Sequence, residues 1–300
     1  MQALVDHPLP PTSSQTQPEG DVPTPDSTQL PACRHCGAEY VQGHGSFPVK
    51  DGTRRPRYLC CICNRTFSVY TGTPKHYIKK GAEWDRQAAG LGQGLPVRKM
   101  AALLGVCAST VFSWRHRILD ALSLHPQQPL DGSVALGETY VRYSEKGTRT
   151  PVNRLRRFVD QKPSCVLLAS ADEARAALVA GRGRLTPDEL KACLERFLEK
   201  RADVFACGLA PYADACRLMG VTCQDALIQG VSAPFSCVEM MRRQLHGWLG
   251  HFCGVATKYL GNYVTWLSHI SWVERRKPAD AGREMLAAAM VPARPREMAA

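Results

Sequence analysis

The sequence lacks any uninterrupted apolar run of the roughly eighteen residues that a membrane span requires, although 44% of its 300 residues are hydrophobic. Met1 to Leu9 shows neither a basic opening nor an apolar run, so we expect no secretory leader. We therefore expect a protein without membrane contact in a reducing cytoplasm. In that compartment the thirteen cysteines are metal ligands or small core residues rather than a disulfide framework.

Acidic residues are scarce in the front part of the chain. Residues 31–121 carry fourteen Lys or Arg but only five Asp or Glu, whereas residues 122–273 carry eighteen basic and fourteen acidic residues. The front segment therefore accounts for +9 of the net charge of +11. Such a segment predicts a polyanionic partner, most simply double-stranded DNA. The alternative is a basic surface that serves only solubility.

Two CxxC pairs are the strongest motif in the sequence. Cys33 and Cys36 form the first pair, and Cys60 and Cys63 form the second, with 23 residues between the pairs. A tetrahedral Zn²⁺ ion takes four thiolates, and two CxxC turns present them to one ion. The spacing predicts a zinc ribbon over residues 31–70 with a structural Zn²⁺ on these four cysteines. Four buried free cysteines are the alternative, and Cys61 is left out because it breaks the gap to Cys63.

Residues 82–122 have the pattern of three short helices. In the second, apolar residues recur at i, i+3, i+4 and i+7 from Val97 to Leu104, and Gly105 then permits a tight turn. Two helices joined in this way are typical of a helix-turn-helix, whose second helix enters the major groove. An ordinary helical linker is the alternative. The side chains predicted to contact DNA are Ser113, Arg115, His116 and Arg117 in the third helix, with Arg54 and Arg55 in the ribbon.

The remaining segments predict a larger α/β domain between two tails. Residues 1–30 are rich in Pro, Ser, Thr and Gln and are expected to be disordered. Residues 131–273 alternate strand and helix patterns, with strands at 133–143 and 164–170 and a capping box that begins at Thr186. Residues 274–300 are expected to form a mobile tail. The predicted fold class is therefore α+β and multi-domain.

The order of these motifs resembles bacterial insertion-sequence transposases of the zinc-ribbon, DDE type (ISXO-like). The resemblance rests on the ribbon, on the run from Thr66 to Pro74, and on Ser113-Trp-Arg-His-Arg117. It rests also on Gly254-Val-Ala-Thr-Lys-Tyr-Leu-Gly-Asn-Tyr263 with Trp266, and it covers roughly Pro31 to Trp272. It implies an RNase H-like domain at 131–273 that cuts and joins transposon-end DNA with Mg²⁺, in a bacterial cytoplasm at the nucleoid.

The sequence departs from that family at the implied catalytic positions. The family's first aspartate falls on Gly137, its second on Cys207, its third acidic or amide position on Glu239, and its lysine on His246. Glycine offers no ligand and a thiolate is disfavoured by Mg²⁺. Only Glu239 keeps the oxygen chemistry that a two-Mg²⁺ site requires.

Three interpretations follow from the sequence. The first is a transposase-family protein that binds DNA and has a degenerate strand-transfer centre. The second is an active DDE-type transposase that recruits other acids, such as Glu138 and Asp225. The third is a zinc-ribbon transcriptional regulator with an unrelated second domain. Zn²⁺ is expected in each and Mg²⁺ only in the second. Double-stranded DNA is the expected partner, and the sequence also allows a homo-oligomer.

Overall fold

The computed structural model of the chain describes residues 30–49, 52–125, 129–146, 162–171, 174–206, 209–225, 233–271 and 278–291. The chain divides into two compact units, and each is described by itself. The first comprises Met1–Pro48 and Arg54–Val69, and the second comprises Val49–Thr53 and Tyr70–Ala300. The tail expected to be disordered over residues 1–30 lies outside the described residues except for Leu30.

The first unit is a small antiparallel sheet. Its strands follow the order β1-β2-β3, and the pairing brings Tyr58 opposite Phe67, with ring centroids 5.5 Å apart. The strands are β1 (Val41–Pro48), β2 (Arg54–Cys60) and β3 (Thr66–Phe67). These two rings and the side chains of Cys33 and Cys60 are the buried apolar residues of the unit's described part. So small a core contributes little folding free energy by itself.

The second unit begins with three helices. They are α1 (Gly81–Gly92), α2 (Val97–Leu104) and α3 (Ala108–Ser123). Between α2 and α3 lies a three-residue turn that begins at Gly105. That glycine has a φ of 63°, a left-handed conformation that favours glycine and ends α2. Residues 97–123 therefore form two helices joined by a tight turn, and their role as a DNA-binding helix-turn-helix stays a prediction.

A five-stranded mixed sheet follows in the chain. The strands are β4 (Ser133–Val141), β5 (Ser164–Ser170), β6 (Arg175–Arg182), β7 (Asp203–Ala206) and β8 (Thr222–Asp225). Their order is β6-β5-β4-β7-β8, with β5 antiparallel to both of its neighbours and β4, β7 and β8 mutually parallel. All seven residues of β5 are buried, because helices cover both faces of the sheet. Together with the helices, this sheet makes the molecule α+β, as predicted.

The covering helices divide between the two faces. They are α4 (Pro187–Leu194), α5 (Leu209–Met219), α6 (Ala233–His251) and α7 (Leu260–Ser271), and they are followed by α8 (Pro278–Met290), which contacts other helices. On one face α4 and α5 pack against Val134 and Leu136 of β4, and on the other α6 and α7 pack against Ala135 and its neighbours. The predicted capping box at the start of α4 is present, with the Thr186 hydroxyl accepting a hydrogen bond from the amide of Glu189.

The first three helices share a hydrophobic core with the sheet. Trp84 of α1 and Ile118 of α3 lie in the same buried cluster as Val166 of β5 and Trp266 of α7. We expected residues 82–122 and 131–273 to form separate domains, whereas the structure packs them into one unit. Burial of α3 against α7 and α8 on one side and α2 on the other accounts for this arrangement.

The C-terminal segment corrects a second expectation. Residues 274–300 were expected to be mobile, but Pro278–Met290 form helix α8, which packs on α1. Ala281, Met285 and Ala289 recur every four residues and are buried along one side of the helix. The apolar stripe of α8 therefore docks this stretch on the core.

No helix in the described ranges combines the length and apolar character needed to cross a membrane.

Candidate functional site

The four cysteines of the two CxxC pairs converge in the first unit. The Sγ atoms of Cys33 and Cys63 are 3.7 Å apart, and those of Cys36 and Cys60 are 3.6 Å apart. All four sulfurs lie within 4.8 Å of one another. A regular tetrahedron of thiolates about 2.3 Å from one ion places its sulfurs about 3.8 Å apart, whereas a disulfide requires about 2.05 Å. The arrangement therefore fits one tetrahedral metal ion and not a pair of disulfides.

Backbone amides donate hydrogen bonds to two of the four sulfurs. The amide of His35 donates to Cys33 Sγ at 3.3 Å, and the amide of Cys63 donates to Cys60 Sγ at 3.5 Å. The bond from Cys63 lowers the pKa of the Cys60 thiol to about 6, whereas burial and the neighbouring sulfurs raise the pKa values of Cys36 and Cys63. A bound cation would favour the thiolate form of all four. The cluster can hold a metal ion, and its donor set suits Zn²⁺.

A groove lies beside the turn between α2 and α3. It has a volume of about 460 Å³ and is lined on one side by Tyr77, Lys79 and Lys80, and on the other by Cys107 and Thr110 at the start of α3. The Tyr77 side chain is 85% exposed, and its ring stacks on that of His76 at 3.9 Å between centroids. The groove thus brings an exposed aromatic ring and two lysines to the beginning of the predicted DNA-reading helix.

The sequence interpretation missed this contribution of residues 75–80. The run Lys75-His-Tyr-Ile-Lys-Lys80 joins three lysines to an aromatic residue. That composition is a usable signal for nucleic-acid binding. The run lies outside both the ribbon pattern and the helical periodicity, so neither pattern indicates it.

Two of the side chains predicted to contact DNA are buried. Arg115 is 1% exposed, donates a hydrogen bond to the Leu95 carbonyl, and has its guanidinium 4.6 Å from the Trp266 ring centroid. His116 is 6% exposed, and its Nδ1 accepts a hydrogen bond from Asn262 at 3.1 Å. In this fold neither side chain reaches solvent, so we do not retain Arg115 or His116 as DNA contacts.

The other predicted DNA contacts remain nearer the surface. Ser113 is exposed on α3, while Arg117 is half-buried and donates to the His76 carbonyl at 2.8 Å. In the ribbon, Arg54 is exposed and donates from Nε to Ser46 Oγ at 2.9 Å, and Arg55 is half-buried. Ser113 and Arg54 are the predicted residues that the fold leaves most accessible.

The side chain of Val238 occupies the space that an aspartate side chain would need at position 137, the first implied catalytic position. Gly137 lies in β4, and a Cβ atom added there would meet Val238 Cγ1 of α6 at 2.6 Å. Next to it, Leu136 pairs with Ala206, the last residue of β7, so the chain leaves β7 beside Gly137. Cys207 itself, the second implied position, lies outside the described residues. Helix α6 thus approaches β4 so closely that only glycine fits without a shift of Val238.

The two remaining implied positions lie on α6 and have protein partners. The Glu239 carboxylate accepts hydrogen bonds from Arg242 Nε at 2.8 Å and Nη2 at 2.6 Å. These bonds from Arg242 hold the pKa of Glu239 below its usual range. His246 Nε2 lies 2.8 Å from the Thr139 hydroxyl of β4. Any cation at Glu239 would therefore compete with a guanidinium for both carboxylate oxygens.

Glu138, the first of the alternative acids, lies on the opposite face of the sheet. Successive residues of a strand point to opposite faces, and Gly137 and Thr139 both face α6. Glu138 instead accepts hydrogen bonds from Tyr140 at 2.8 Å and from Tyr212 of α5 at 3.3 Å. The β-sheet therefore separates the carboxylates of Glu138 and Glu239.

Asp225, the second alternative acid, ends β8 and pairs in register with Ala206. Within the described part of the chain, the cysteine cluster is the only group of three or more His, Cys, Asp or Glu side chains close enough to share an ion. The described residues thus bring the four cysteines together, but they do not bring Glu138, Asp225 and Glu239 together.

Part of the chain is similar in sequence to a protein of a mobile element. No protein-family model matches the chain. An uncharacterized protein in transposable element ISH50 of Halobacterium salinarum is 33% identical over 117 residues. The match covers 38% of this chain and 38% of that protein's length. Over that stretch the chain is therefore similar to a protein encoded by an insertion element.

Proposed function

We propose that the chain is a transposase-type DNA-binding protein of an insertion sequence that recognises double-stranded DNA at the ends of its element. The groove beside the α2–α3 turn is the observation that carries this proposal. It combines Lys79 and Lys80 with the exposed N-terminal part of α3, where a helix-turn-helix contacts DNA. The similarity to a protein in transposable element ISH50 supports the assignment to a mobile element.

In this proposal the cysteine cluster binds structural Zn²⁺. The four thiolates of Cys33, Cys36, Cys60 and Cys63 would hold the ion. When bound, the ion contributes folding free energy to a unit whose own apolar core is small. Arg54 and Arg55 would then be displayed on β2 as phosphate contacts.

We further propose that the sheet belongs to an RNase H-like domain whose strand-transfer centre is degenerate. The order β6-β5-β4-β7-β8, with only β5 reversed, supports this assignment. Two Mg²⁺ ions need several carboxylate oxygens directed at one point. The implied positions do not supply that donor set. Position 137 is a glycine without a ligand atom, position 207 is a thiol, and Glu239 is paired with Arg242. DNA binding without strand transfer is the expected behaviour.

Salt-dependent DNA binding tests the proposal directly. Full-length protein prepared with Zn²⁺ is titrated onto a labelled duplex taken from the DNA that flanks its own gene, at several salt concentrations. Each phosphate contact contributes about 0.9 to the slope of log affinity against log salt. Replacing Lys79 and Lys80 with alanine should therefore lower the slope by about 2 and weaken binding to all duplexes.

The chain offers a matched control for this charge loss. Lys191 lies on α4 and pairs with Glu195 at 3.7 Å, as Lys80 pairs with Glu83 at 3.9 Å. The double variant Lys191→Ala with Lys200→Ala removes the same charge and should keep the wild-type slope. An unchanged slope in the Lys79 and Lys80 variant, or an equal loss in both variants, would show that the groove is not the DNA contact.

A further inference from the structure

A second cavity lies in the same unit, against the middle of α3. It has a volume of about 410 Å³ and is lined by Phe112 of α3, by Tyr259 and Tyr263, and by Lys146 and Lys258. Residues 254–263, the C-terminal part of the sequence resemblance, thus form most of its wall. A volume of this size accommodates a small aromatic ligand.

The backbone around the cavity is held by hydrogen bonds. The Ser144 amide donates to Thr257 Oγ1 at 2.8 Å, and the Thr257 amide donates back to the Ser144 carbonyl at 2.8 Å. Lys146 Nζ donates to the Cys253 carbonyl, also at 2.8 Å. The segment that leaves β4 is thereby fixed to the segment that follows α6. The cavity is therefore preformed, which lowers the entropy cost of binding.

The aromatic side chains present both apolar surface and a ring edge. Phe112 and Tyr259 are half-buried, and their rings meet edge to face with centroids 5.3 Å apart. His116 packs behind Tyr259 at 4.1 Å and fixes that ring. Rings held in this way, with part of their surface exposed, are suited to stacking on a planar base.

The charge around the cavity is positive. Lys146 and Lys258 are exposed at its rim, and the described residues that line it include no Asp or Glu. Arg115 is 1% exposed and interacts with the lining residue Tyr263, and its Nε and Nη1 atoms have no hydrogen-bond partner among the described residues. The positive charge of this buried guanidinium adds to the attraction for an anion. The cavity therefore combines stacking surfaces with a field that favours phosphate.

From this combination we infer that the cavity binds one unstacked nucleotide of single-stranded DNA, with its base against Phe112 and Tyr259 and its phosphate between Lys146 and Lys258. The inference rests on the proposed DNA-binding function and adds a site for single strands to the duplex contact. An end of the element that is frayed, or that carries a single-stranded extension, would then be held more tightly than an intact duplex.

Two matched probes test this inference on the full-length protein. One is a blunt duplex, and the other is the same duplex with a short 3′ single-stranded extension that contains 2-aminopurine. The wild-type protein should bind the extended probe about 5- to 150-fold more tightly, the range expected for stacking of one base. The 2-aminopurine fluorescence should fall on binding, because stacking quenches it.

Two substitutions at Phe112 test whether an aromatic ring is required or whether any apolar side chain is sufficient. Phe112→Leu should reduce the ratio of the two affinities to about 1 and remove the quenching, whereas Phe112→Tyr should retain both. Lys258→Ala should lower the ratio of the two affinities, and it should lower the salt slope for the extended probe only. This variant replaces Phe112→Leu as the test if that variant fails to fold. Lys191→Ala, on the opposite face of the sheet, should leave the ratio unchanged.

The outcomes distinguish this inference from the proposed function. Equal binding of the two probes by the wild-type protein would overturn the inference while leaving duplex binding in place. A ratio that survives Phe112→Leu with full quenching would overturn it as well. Binding of neither probe would overturn both.

Discussion

At the residue scale, the Cys60 thiolate joins the metal site to the sheet of the first unit. It ends β2, it is fully buried, and its sulfur lies 3.6 Å from that of Cys36. Removal of one thiolate from a four-thiolate site leaves an incomplete donor set in a unit with little other core. With the proposed Zn²⁺ on these thiolates, the ion would therefore determine whether this unit folds.

We predict that Cys60→Ser releases the metal and unfolds the first unit, while the second unit keeps its own core and stays folded. Elemental analysis should find about one Zn²⁺ per wild-type chain and none in the variant. The neighbouring Cys61→Ser is the matched control and should retain the ion. Retention of zinc by Cys60→Ser, or its loss from both variants, would contradict the assigned ligands.

A second prediction at this scale concerns His116. Burial lowers the pKa of its imidazole to about 4, against about 6.5 in an unfolded chain. Between these values the unfolded state binds a proton that the folded state does not, so stability is full above pH 6.5 and falls as the pH drops towards 4. The loss is about 1.4 kcal/mol per pH unit within that window.

His116→Gln removes this titrating group. Because the carboxylates titrate in both proteins, the difference between variant and wild type reports the contribution of His116 alone. The free energy of unfolding should fall less steeply in the variant than in the wild type between pH 6.5 and 4, as measured by denaturant titration at each pH. Parallel pH profiles for the two proteins would mean that His116 is not held neutral by burial.

Gly137 provides the third prediction. An added Cβ would meet Val238 Cγ1 at 2.6 Å, so Gly137→Ala should destabilise the second unit by roughly 1–3 kcal/mol through overpacking. Val238→Ala makes room, and in the double variant the two effects should compensate in part. A double-mutant cycle of unfolding free energies measures this coupling, and strict additivity would show that the two side chains do not compete for space.

At the scale of elements, helix α8 depends on a close approach to α1. A Cβ at Gly282 would overlap the Ala88 carbonyl oxygen, so the backbones of the two helices are in contact. We predict that Gly282→Ala lowers the midpoint of thermal unfolding and exposes α8 to proteolysis. In α7, Gly261→Ala introduces the same methyl group into open space, and it should be neutral or stabilising by up to about 1 kcal/mol. Equal effects of the two substitutions would contradict this packing.

Elements with a strong local signal could be predicted from the sequence. The four cysteines of the CxxC pairs lie together, as their spacing predicts. The predicted capping box at Thr186 precedes α4, and the apolar run at Ser164–Ser170 forms β5. In each case residues adjacent in sequence determine the structure, through metal-ligand spacing, side-chain capping or a continuous apolar run.

Elements whose packing depends on distant partners could not be predicted in the same way. Helix α3 has Val111, Trp114 and Ile118 on its expected inner side, but α7 also covers the side that carries Arg115 and His116. No local pattern specifies that second contact. The same holds for α8. Its sequence alone does not show that the helix packs against the backbone of α1, where Gly282 allows the close approach.

At the scale of the whole molecule, the front of the chain carries most of the positive charge, and the groove and the cavity lie on the second unit. Closure of the Gly137 position and the ion pair at Glu239 remove the donor set that two Mg²⁺ ions would require. Our central claim is therefore DNA binding without strand transfer.

One assay tests that claim most directly. Labelled DNA from the ends of the element is incubated with the full-length protein and Mg²⁺, and the same sample is analysed for bound and for cleaved DNA. We predict a salt-sensitive complex and no cleavage product. Mg²⁺-dependent cleavage by the unmodified protein that is lost on Glu239→Gln would contradict the claim and would show an active centre rebuilt around Glu239.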